Sequence, residues 1–460
     1  MDRRPHVVII GGGFGGLNAA QALARAPVRI TLIDRRNHHL FQPLLYQVAT
    51  AALNASDIAY PIRSELAHQS NARVLLAEAR AVDVVARTVK LDAGELQYDY
   101  LIVATGATHS YFGKDQWAKL APGLKSIEDA LEIRRRIFLA YEAAEREADP
   151  AVQQEYLTFA VVGGGPTGVE LAGALGEIGL ETLAKDFRSI DSRRVKVVLF
   201  EGTHRVLRAY PEKLSIAAQR SLEKRHVEVR VDSLVTAIDE QGVTVKGPRG
   251  EERLGTRTVL WAAGVQASPL GATLGAMRDR TGRIVVEPDC SIADHPEVFV
   301  IGDLAKVERD GSEVPGVAQG AIQEGKFVAK LIAREAHGER FARPAFHYHD
   351  KGNLAVLGRA DAVLATKHVA RHGFIAWLAW AFVHIMYLIS YRSRILVMIQ
   401  WGWSFLTFKR GARLITGKVP ELPAVTTIGA DGEATLPAAA VPIELTVKQE
   451  ESAPSAAPRA

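Results

Sequence analysis

The fold of this 460-residue chain is decided by VVIIGGGFGG, residues 7–16. An apolar run, a glycine-rich turn and the start of a helix follow one another there. Such a unit lets backbone N–H groups receive a pyrophosphate. A second unit of the same kind is FAVVGGGPTG, residues 159–168. One unit alone is weak evidence, but two in the same context predict two dinucleotide sites that exchange electrons.

The strand after each glycine-rich turn ends in an acid, which is Asp34 in the first unit and Glu201 in the second. An acid at this position accepts hydrogen bonds from an adenosine ribose and repels a 2′-phosphate. The second site should therefore prefer NADH to NADPH. His204 and Arg205 lie close to Glu201 and leave that preference open. Either acid can instead simply cap its strand in solvent.

Three further apolar strands close on small residues, at Leu101–Gly106, Val259–Gly264 and Val298–Asp303. Small residues at strand ends let the backbone pass close to a cofactor. The acid that ends the last of these strands can hydrogen-bond the ribityl chain of FAD. The order of the strands predicts an α/β fold of two Rossmann-like dinucleotide-binding domains, the second inserted in the first, with a C-terminal membrane-attachment region.

The expected domain boundaries follow from this order of motifs. They are 1–150 for the first part of an FAD-binding domain, 151–280 for an NADH-binding domain, 281–345 for the second part of the FAD-binding domain, 346–418 for a membrane-anchoring region and 419–460 for a tail. The tail is rich in Ala, Pro, Thr and Glu without a helical period, so we expect it to be disordered.

Composition excludes several other chemistries. Cys290 is the only cysteine, so a redox-active cysteine pair and a cysteine-ligated iron–sulfur cluster are both impossible. The histidines form no convincing zinc spacing, and we expect no metal. The formal net charge is +4. No long Lys/Arg-rich run accompanies it, so we do not expect a nucleic-acid partner.

Three stretches resemble type II NADH dehydrogenases, the single-subunit, non-pumping NADH:quinone oxidoreductases. They are HHLFQPLLYQVA at 38–49, AQGAIQEG at 318–325 and the apolar region that begins at residue 374. The resemblance covers roughly residues 5–418 and places the chain in the superfamily of flavoproteins with two dinucleotide-binding domains. It implies FAD as cofactor, NADH as substrate, a membrane quinone as electron acceptor and a homodimer.

The motifs and the resemblance together imply a set of site residues. The expected catalytic residues are Glu170, Gln319, Gln323 and Lys351. The residues expected to contact FAD are Gly11, Gly13, Phe14, Gly15, Gly16, Asp34, Arg35, Val82, Ala104, Thr105, Gly106, Gly302, Asp303, Ala318 and Gln319. The residues expected to contact NADH are Gly163, Gly165, Pro166, Thr167, Gly168, Glu201, Ala263 and Gly264.

Gln319 and Gln323 are four residues apart, so they share a helix face and can line one wall of a pocket. Neutral amides can donate to a quinone carbonyl without introducing a buried charge. The resemblance implies that Gln319 lies beside the isoalloxazine and Gln323 near the nicotinamide or the quinone. The alternative is a polar helix face with two exposed glutamines.

Glu170 lies in the first turn of the helix that follows the second glycine-rich turn. The resemblance implies that it lies close to the contact between flavin and nicotinamide, where it can assist proton movement. The helix dipole alone also favours an acid at this position, which is the alternative reading. For Lys351 the resemblance implies only a loop near the active site.

The apolar segment Phe374–Tyr391 is at the lower length limit for a membrane span, and a second segment at 395–408 is shorter. Four of the six tryptophans of the chain fall in these segments, an enrichment that is typical of a membrane interface. We expect helices lying in the cytoplasmic leaflet of the inner membrane. One transmembrane helix at 374–391 and a buried dimer-interface helix are the alternatives.

The function expected from this sequence is oxidation of NADH through FAD with reduction of a membrane quinone and without proton pumping. Residues 1–6 contain no apolar signal region, so we expect the catalytic body in the cytoplasm. A soluble NADH-dependent flavin reductase that feeds a redox protein would share both glycine-rich turns without needing 374–408. A non-catalytic flavin- and NADH-binding sensor is a further alternative.

Overall fold

The computed structural model describes residues 4–309, 311–407, 410–417 and 422–423, together with the strands Thr427–Ile428 and Ala434–Thr435. These two strands pair antiparallel. Most of the predicted tail at 419–460 lies outside the described residues. The described chain is an α/β protein built on two main sheets.

The first main sheet has six strands. Their spatial order is Ser291–Ile292, His295–Val300, Tyr100–Val103, His6–Ile10, Arg29–Asp34 and Ala72–Leu76. All neighbours run parallel except the first pair, which is antiparallel. The central strand His6–Ile10 is buried from Val7 onward, as expected for a parallel strand that is covered on both faces.

The second main sheet has four parallel strands, in the order Val227–Arg230, Lys196–Phe200, Thr158–Val162 and Thr258–Trp261. All of them lie between Tyr100–Val103 and His295–Val300 of the first sheet in the sequence. The second dinucleotide-binding fold is therefore inserted in the first. This arrangement confirms the predicted fold class.

The remaining described elements are short sheets and the helices between them. Three antiparallel sheets have three strands each: Ala79–Asp83, Thr88–Leu91 and Glu95–Gln97; Leu234–Asp239, Gly242–Gly247 and Gly250–Gly255; Asn353–Gly358, Asp361–Ala365 and Ala370–Gly373. The further strand pairs are His38–Leu40 with Ala59–Pro61, Ala107–His109 with Val265–Ala267, Ile284–Val285 with Ala305–Lys306, and Glu308–Arg309 with Ser312–Glu313.

The α-helices are Phe14–Ala22, Leu45–Ala49, Ala55–Ile58, Ile62–Glu65, Ile127–Arg146, Pro150–Tyr156, Pro166–Glu177, Glu212–Glu223, Ala318–Ala336, Phe374–Tyr387 and Tyr391–Thr407. Short 3₁₀ segments are Gln42–Leu44, Asp115–Lys119, Ser192–Arg194, Pro269–Leu274 and Gly302–Leu304, and Ile178–Thr182 is a π-helical turn.

Both glycine-rich turns place a glycine directly against the backbone of the same turn. A Cβ at Gly16 would collide with the carbonyl oxygen of Gly11, and a Cβ at Gly168 would collide with that of Gly163. Gly13, by contrast, is the N-cap of the helix Phe14–Ala22 and has open space around its Cα. Since a glycine cap has no side chain to occupy them, the first N–H groups of the helix remain available to a ligand.

The C-terminal region contains two helices, Phe374–Tyr387 and Tyr391–Thr407. The predicted apolar segment at 374–391 is helical only as far as Tyr387, because Leu388 adopts extended backbone and is buried. The second helix starts earlier than the predicted segment at 395–408. Among the described helices, none is both long enough and apolar enough to cross a membrane.

The chain beyond these helices returns to the body of the protein at Arg410. The Arg410 guanidinium is almost completely buried, donates to the Thr50 carbonyl oxygen at 2.9 Å and pairs with Glu177 at 3.3 Å. Arg134 donates in turn to the Ala412 carbonyl oxygen at 3.1 Å. These contacts fix residues 410–412, which follow the C-terminal helices, against the body of the protein.

The two glycines of the first turn give a matched pair of variants. Gly16→Ala should lower FAD content and the free energy of unfolding by about 1–3 kcal/mol, because the added methyl group forces the turn open. Gly13→Ala should leave the free energy of unfolding of the flavin-free protein nearly unchanged, since the added Cβ meets no protein atom within 4 Å, but it should lower FAD content, because Gly13 lines the first cavity. Flavin absorbance per protein and thermal unfolding measure the two effects. Full flavin content in Gly16→Ala would contradict this account of the turn.

Candidate active site

The first main sheet opens at the carboxyl ends of its strands into a cavity of about 970 Å³, which we call the first cavity. Carboxyl ends of parallel strands are the usual place for ligands in open α/β sheets. Most residues that the sequence predicts for FAD line it. They are Gly11, Gly13, Phe14, Gly15, Asp34, Arg35, Ala104, Thr105, Gly106, Gly302, Asp303, Ala318 and Gln319.

Two of the expected FAD contacts do not line this cavity. Gly16 is buried behind the turn, where it permits the close approach described above. Val82 is buried in the core, and its N–H donates to the Thr273 hydroxyl at 3.1 Å. The preceding residues Glu78–Arg80 line the cavity instead. The cavity contact expected at Val82 therefore falls two to four residues earlier in the chain.

The second main sheet opens into a separate cavity of about 720 Å³, which we call the second cavity. Five of the residues predicted to contact NADH line it, namely Gly163, Gly165, Glu201, Ala263 and Gly264. Pro166 and Thr167 line the first cavity instead. Gly168 lines neither, because it is buried against Gly163.

The acid that follows each turn holds that turn by the same hydrogen bond. The Gly12 N–H donates to Asp34 Oδ2 at 2.6 Å, and the Gly164 N–H donates to Glu201 Oε2 at 2.7 Å. Thr203 donates to the other oxygen of Glu201 from its backbone N–H and its hydroxyl. Each carboxylate has lone pairs left for further donors. The acids are therefore not merely strand caps in solvent.

The start of the helix Pro166–Glu177 joins the two cavities. Gly165, its N-cap, lines the second cavity, whereas Pro166, Thr167 and Glu170 line the first. A dinucleotide held on the second turn can therefore keep its adenosine half in the second cavity and extend its other half into the first.

The residues of the first cavity fit FAD. The glycine-rich turn and the uncapped start of the helix Phe14–Ala22 suit its pyrophosphate. Thr105 Oγ1 and Gln319 Oε1 are buried polar atoms without a hydrogen-bond partner among the described residues. Buried polar atoms are normally satisfied, so such atoms on a cavity wall indicate a polar ligand. The Lys125 ammonium also lies 3.7 Å from Asp303 Oδ2.

Glu170 lies in the second turn of the helix Pro166–Glu177, not in the first turn as the sequence predicted, and is a buried carboxyl on the wall of the first cavity. Its Oε1 accepts a hydrogen bond from the Val356 N–H at 3.2 Å. Burial raises the pKa of Glu170 to about 8, because the charged form loses its hydration. At neutral pH this group therefore carries a proton that it can release, which the helix dipole alone would not produce.

The structure separates the two glutamines of the motif. The helix Ala318–Ala336 packs across Phe14–Ala22, and Gln319 on it lines the first cavity. Gln323 does not line it, since its amide donates to the His349 carbonyl oxygen at 3.0 Å and accepts from the His349 N–H at 2.9 Å. The prediction that both glutamines line one wall is therefore wrong, because only Gln319 of the pair faces the cavity.

Lys351 also lies just outside the cavity wall. Its ammonium donates to the Tyr387 hydroxyl at 2.9 Å, and Tyr387 lines the first cavity. This bond connects a loop near the cavity with the helix Phe374–Tyr387. Lys351 can therefore act on the site through Tyr387.

The sequence reasoning missed the aromatic wall between the first cavity and the C-terminal helices. Phe14 and Phe41 meet edge to face at 5.8 Å, and Phe41 meets the His384 ring at 6.1 Å. The ring centroids of His384 and Trp380 are 4.5 Å apart, and those of Trp380 and Trp401 are 5.0 Å apart. The available signal in the sequence is that His384 is a polar residue within the apolar segment at 374–391.

His384 is a neutral residue on this wall. Its Nδ1 lies 2.7 Å from the Trp380 carbonyl oxygen, so the ring proton of the neutral form belongs on Nδ1. Burial lowers the pKa of His384 to about 4. His384 lines the first cavity and presents an uncharged ring to it.

The fold and the two cavities define a flavoprotein with two dinucleotide-binding folds. The model of the pyridine nucleotide-disulphide oxidoreductase family matches residues 5–325. Among solved structures, the NDH2 of Plasmodium falciparum in complex with NADH has the same fold, with a TM-score of 0.81 at 20% identity. That match covers 87% of this chain and 98% of the other.

The relatives define the family more narrowly. The type II NADH:quinone oxidoreductase NdhA of Mycobacterium tuberculosis is 47% identical over 428 residues, which are 90% of this chain and 90% of that protein. A type II NADH:quinone oxidoreductase of Staphylococcus haemolyticus is 32% identical over 371 residues, 78% of this chain and 89% of its own. The chain belongs to the type II NADH:quinone oxidoreductases.

The charge of Glu201 should set the preference for NADH. Glu201→Gln keeps the shape of the side chain but no longer repels a 2′-phosphate, so the kcat/KM ratio of NADH to NADPH should fall about tenfold, equivalent to about 1.4 kcal/mol. Glu240→Gln, at an exposed acid outside both cavities, is the control. An unchanged ratio in Glu201→Gln would show that another group reads the ribose.

Proposed function

We propose that this protein oxidises NADH and reduces a quinone, with FAD held in the first cavity. The observation that carries the proposal is the shared wall at the start of the helix Pro166–Glu177, which joins the second cavity to the first. When bound, FAD supplies the two-electron chemistry between the hydride donor and the quinone. The residues of the chain bind, orient and exchange protons.

NADH binds with its adenosine half on the second glycine-rich turn. Gly163–Gly165 offer backbone N–H groups to the pyrophosphate, and Glu201 accepts from the ribose hydroxyls. Pro166 and Thr167 then guide the nicotinamide half into the first cavity. This placement brings the reacting ends of the two dinucleotides together.

Quinone reduction consumes two protons as well as two electrons, and Glu170 is placed to supply one of them. Its carboxyl lines the first cavity and is protonated at neutral pH. A general acid works best when its pKa lies near the operating pH. Gln319 can donate from its amide to a quinone carbonyl at the same wall.

The C-terminal helices suit attachment to a lipid surface. One face of them is buried, including Trp380 and Val397, and the opposite face is exposed and apolar. Its members are Phe374, Ile375, Leu378, Phe382, Met386, Tyr391, Ile395, Met398, Ile399, Trp403 and Leu406. Exposed apolar patches of this extent mark membrane or protein contacts. Exposed Arg371 precedes the patch in the sequence, exposed Arg392 follows its member Tyr391, and both can pair with lipid phosphates.

This attachment would explain how a lipid-soluble quinone reaches the first cavity. The aromatic wall from Trp401 to Phe14 runs between the apolar helices and the first glycine-rich turn. We place the apolar face on the cytoplasmic side of the inner membrane. The homodimer implied by the sequence resemblance stays a prediction.

The direct test is NADH oxidation by detergent-purified protein with a water-soluble quinone analogue. We expect quinone-dependent turnover with NADH and little with NADPH. Reduction of the flavin by NADH without reoxidation by the quinone would favour a reductase that serves a redox protein. No flavin reduction at all would favour a binding protein without turnover.

Removing the releasable proton of Glu170 should change the pH profile. Wild-type turnover should decline as the pH rises through about 8, because the acid form is lost there. Glu170→Gln should lower turnover by at least about tenfold and abolish this decline, since an amide releases no proton. Glu181→Gln, beyond the end of the same helix, is the control. A wild-type profile in Glu170→Gln would contradict the proton role.

Charges on the apolar face should release the protein from lipid. Ile375 and Phe382 are 72% and 67% exposed. The double variant Ile375→Glu/Phe382→Glu should lower cosedimentation with anionic phospholipid vesicles by at least about tenfold, because two apolar side chains lose their burial. Val85→Glu, at an exposed apolar residue away from these helices, is the control. Undiminished vesicle binding by the double variant would exclude this face as the attachment site.

A further inference from the structure

A loop of the first dinucleotide-binding fold reaches across to the second cavity. We call residues 111–117 of this loop the arm. Tyr111 and Trp117 at its two ends are buried, and every residue between them is exposed. The Tyr111 ring stacks on Trp261 with centroids 5.0 Å apart, and Trp117 packs on the same indole at 5.7 Å. The arm is therefore fixed at both ends on a strand of the second sheet.

Hydrogen bonds add to this fixation. The Trp261 indole N–H donates to the Ser110 carbonyl oxygen at 2.9 Å, and the Tyr111 hydroxyl donates to the Ala121 carbonyl oxygen at 2.8 Å. Just before the arm, Ala107–His109 pairs with Val265–Ala267, the strand that follows the wall of the second cavity. The exposed residues of the arm are thus presented in a defined position.

Phe112 has no place in the core of either fold. It is 70% exposed, and its φ of +51° is a conformation that bulky residues rarely adopt. Its ring lies over Gly264, where an added Cβ would come within 2.5 Å of the ring atom Cζ. Both residues line the second cavity. An exposed aromatic ring held in a strained backbone at a cavity indicates a ligand contact.

Lys114 places a positive charge on the wall of the second cavity, whereas the second glycine-rich turn carries no charged side chain. Among the described residues that line the second cavity, Lys114 is the only cation and Glu201 the only acid. Within the described chain Lys114 has no ion-pair partner, and its ammonium lies 5.9 Å from the centroid of the Trp117 ring. The dinucleotide expected in this cavity carries a pyrophosphate of two negative charges. A cation on the wall can pair with that anion.

We propose that the arm forms the outer wall of the NADH site, with Lys114 pairing with the pyrophosphate and Phe112 covering the bound dinucleotide. The inference rests on the proposed function and adds two binding residues to it. NADH would then lie between a turn of the second fold and an arm of the first.

The test is the dissociation constant of NAD⁺, measured by isothermal titration calorimetry on the flavin-loaded protein without quinone. Lys114→Gln should raise this constant about tenfold at low salt, because a charge-assisted contact to phosphate is lost. The effect should shrink at high salt, since exposed charges are screened. Phe112→Ala should raise the constant about fivefold through lost contact area. The control is Lys119→Gln, which removes the same charge from the same loop at an exposed residue outside both cavities.

Steady-state kinetics with a water-soluble quinone analogue gives a second readout. KM for NADH should rise in both arm variants while kcat at saturating NADH stays within about twofold, because the arm contributes uniform binding. Equal NAD⁺ affinity in Lys114→Gln and Lys119→Gln would overturn the role of Lys114. A change in oligomeric mass of Phe112→Ala at unaltered NAD⁺ affinity would assign Phe112 to a subunit contact and overturn its proposed role. Absence of NAD⁺ binding by the wild-type protein would refute the proposed function itself, so the two failures are distinguishable.

Discussion

The shared wall at the start of the helix Pro166–Glu177 is the constraint on which the rest of the structure depends. Gly165 at the N-cap lies on the second cavity, whereas Thr167 in the first turn and Glu170 in the second lie on the first cavity. The separation between the two dinucleotide sites is therefore fixed by one rigid element. Gly168 sets the position of that element, because only a residue without a side chain allows the helix to lie against Gly163.

The same hydrogen bond, from a backbone N–H of the turn to the acid of the next strand, recurs in both folds and explains why each turn keeps its shape. Asp34 and Glu201 each accept from the N–H of the second glycine of the turn, at 2.6 and 2.7 Å. A charge-assisted hydrogen bond of this kind is stronger than a neutral one. Each acid can therefore hold its turn and also accept from a ribose, so the structural and binding roles of these acids do not compete.

Local sequence patterns were sufficient for the fold and for most of the two cavities. Glycine-rich turns, strand ends and the inserted order of strands are short-range features, and the structure places Asp34 and Glu201 where these features predict. The position of Gln323 outside the first cavity could not be predicted in this way. Helical periodicity puts Gln319 and Gln323 on one face, but the backbone of His349, distant in sequence, takes up the second amide.

Other differences have the same origin in tertiary contacts. Val82 is displaced from the cavity by the core and by its bond to Thr273. The length of the segment at 374–391 allows a single helix, yet Leu388 is buried and adopts extended backbone, which ends the helix at Tyr387. The place of His384 on the aromatic wall could not be predicted, because nothing local shows that Phe41 and Trp380 flank its ring. Packing between distant segments decides each of these points.

The central claim is that NADH on the second turn delivers its hydride directly into the first cavity. Anaerobic rapid mixing of the flavin-loaded protein with NADH deuterated at one or the other face of the nicotinamide C4 tests it. The account predicts bleaching of the flavin absorbance without any mediator, slowed by deuterium at one face only, because the wall fixes the orientation of the ring. Bleaching that needs an added mediator, or that is equally fast with both deuterated forms and with unlabelled NADH, would contradict the claim.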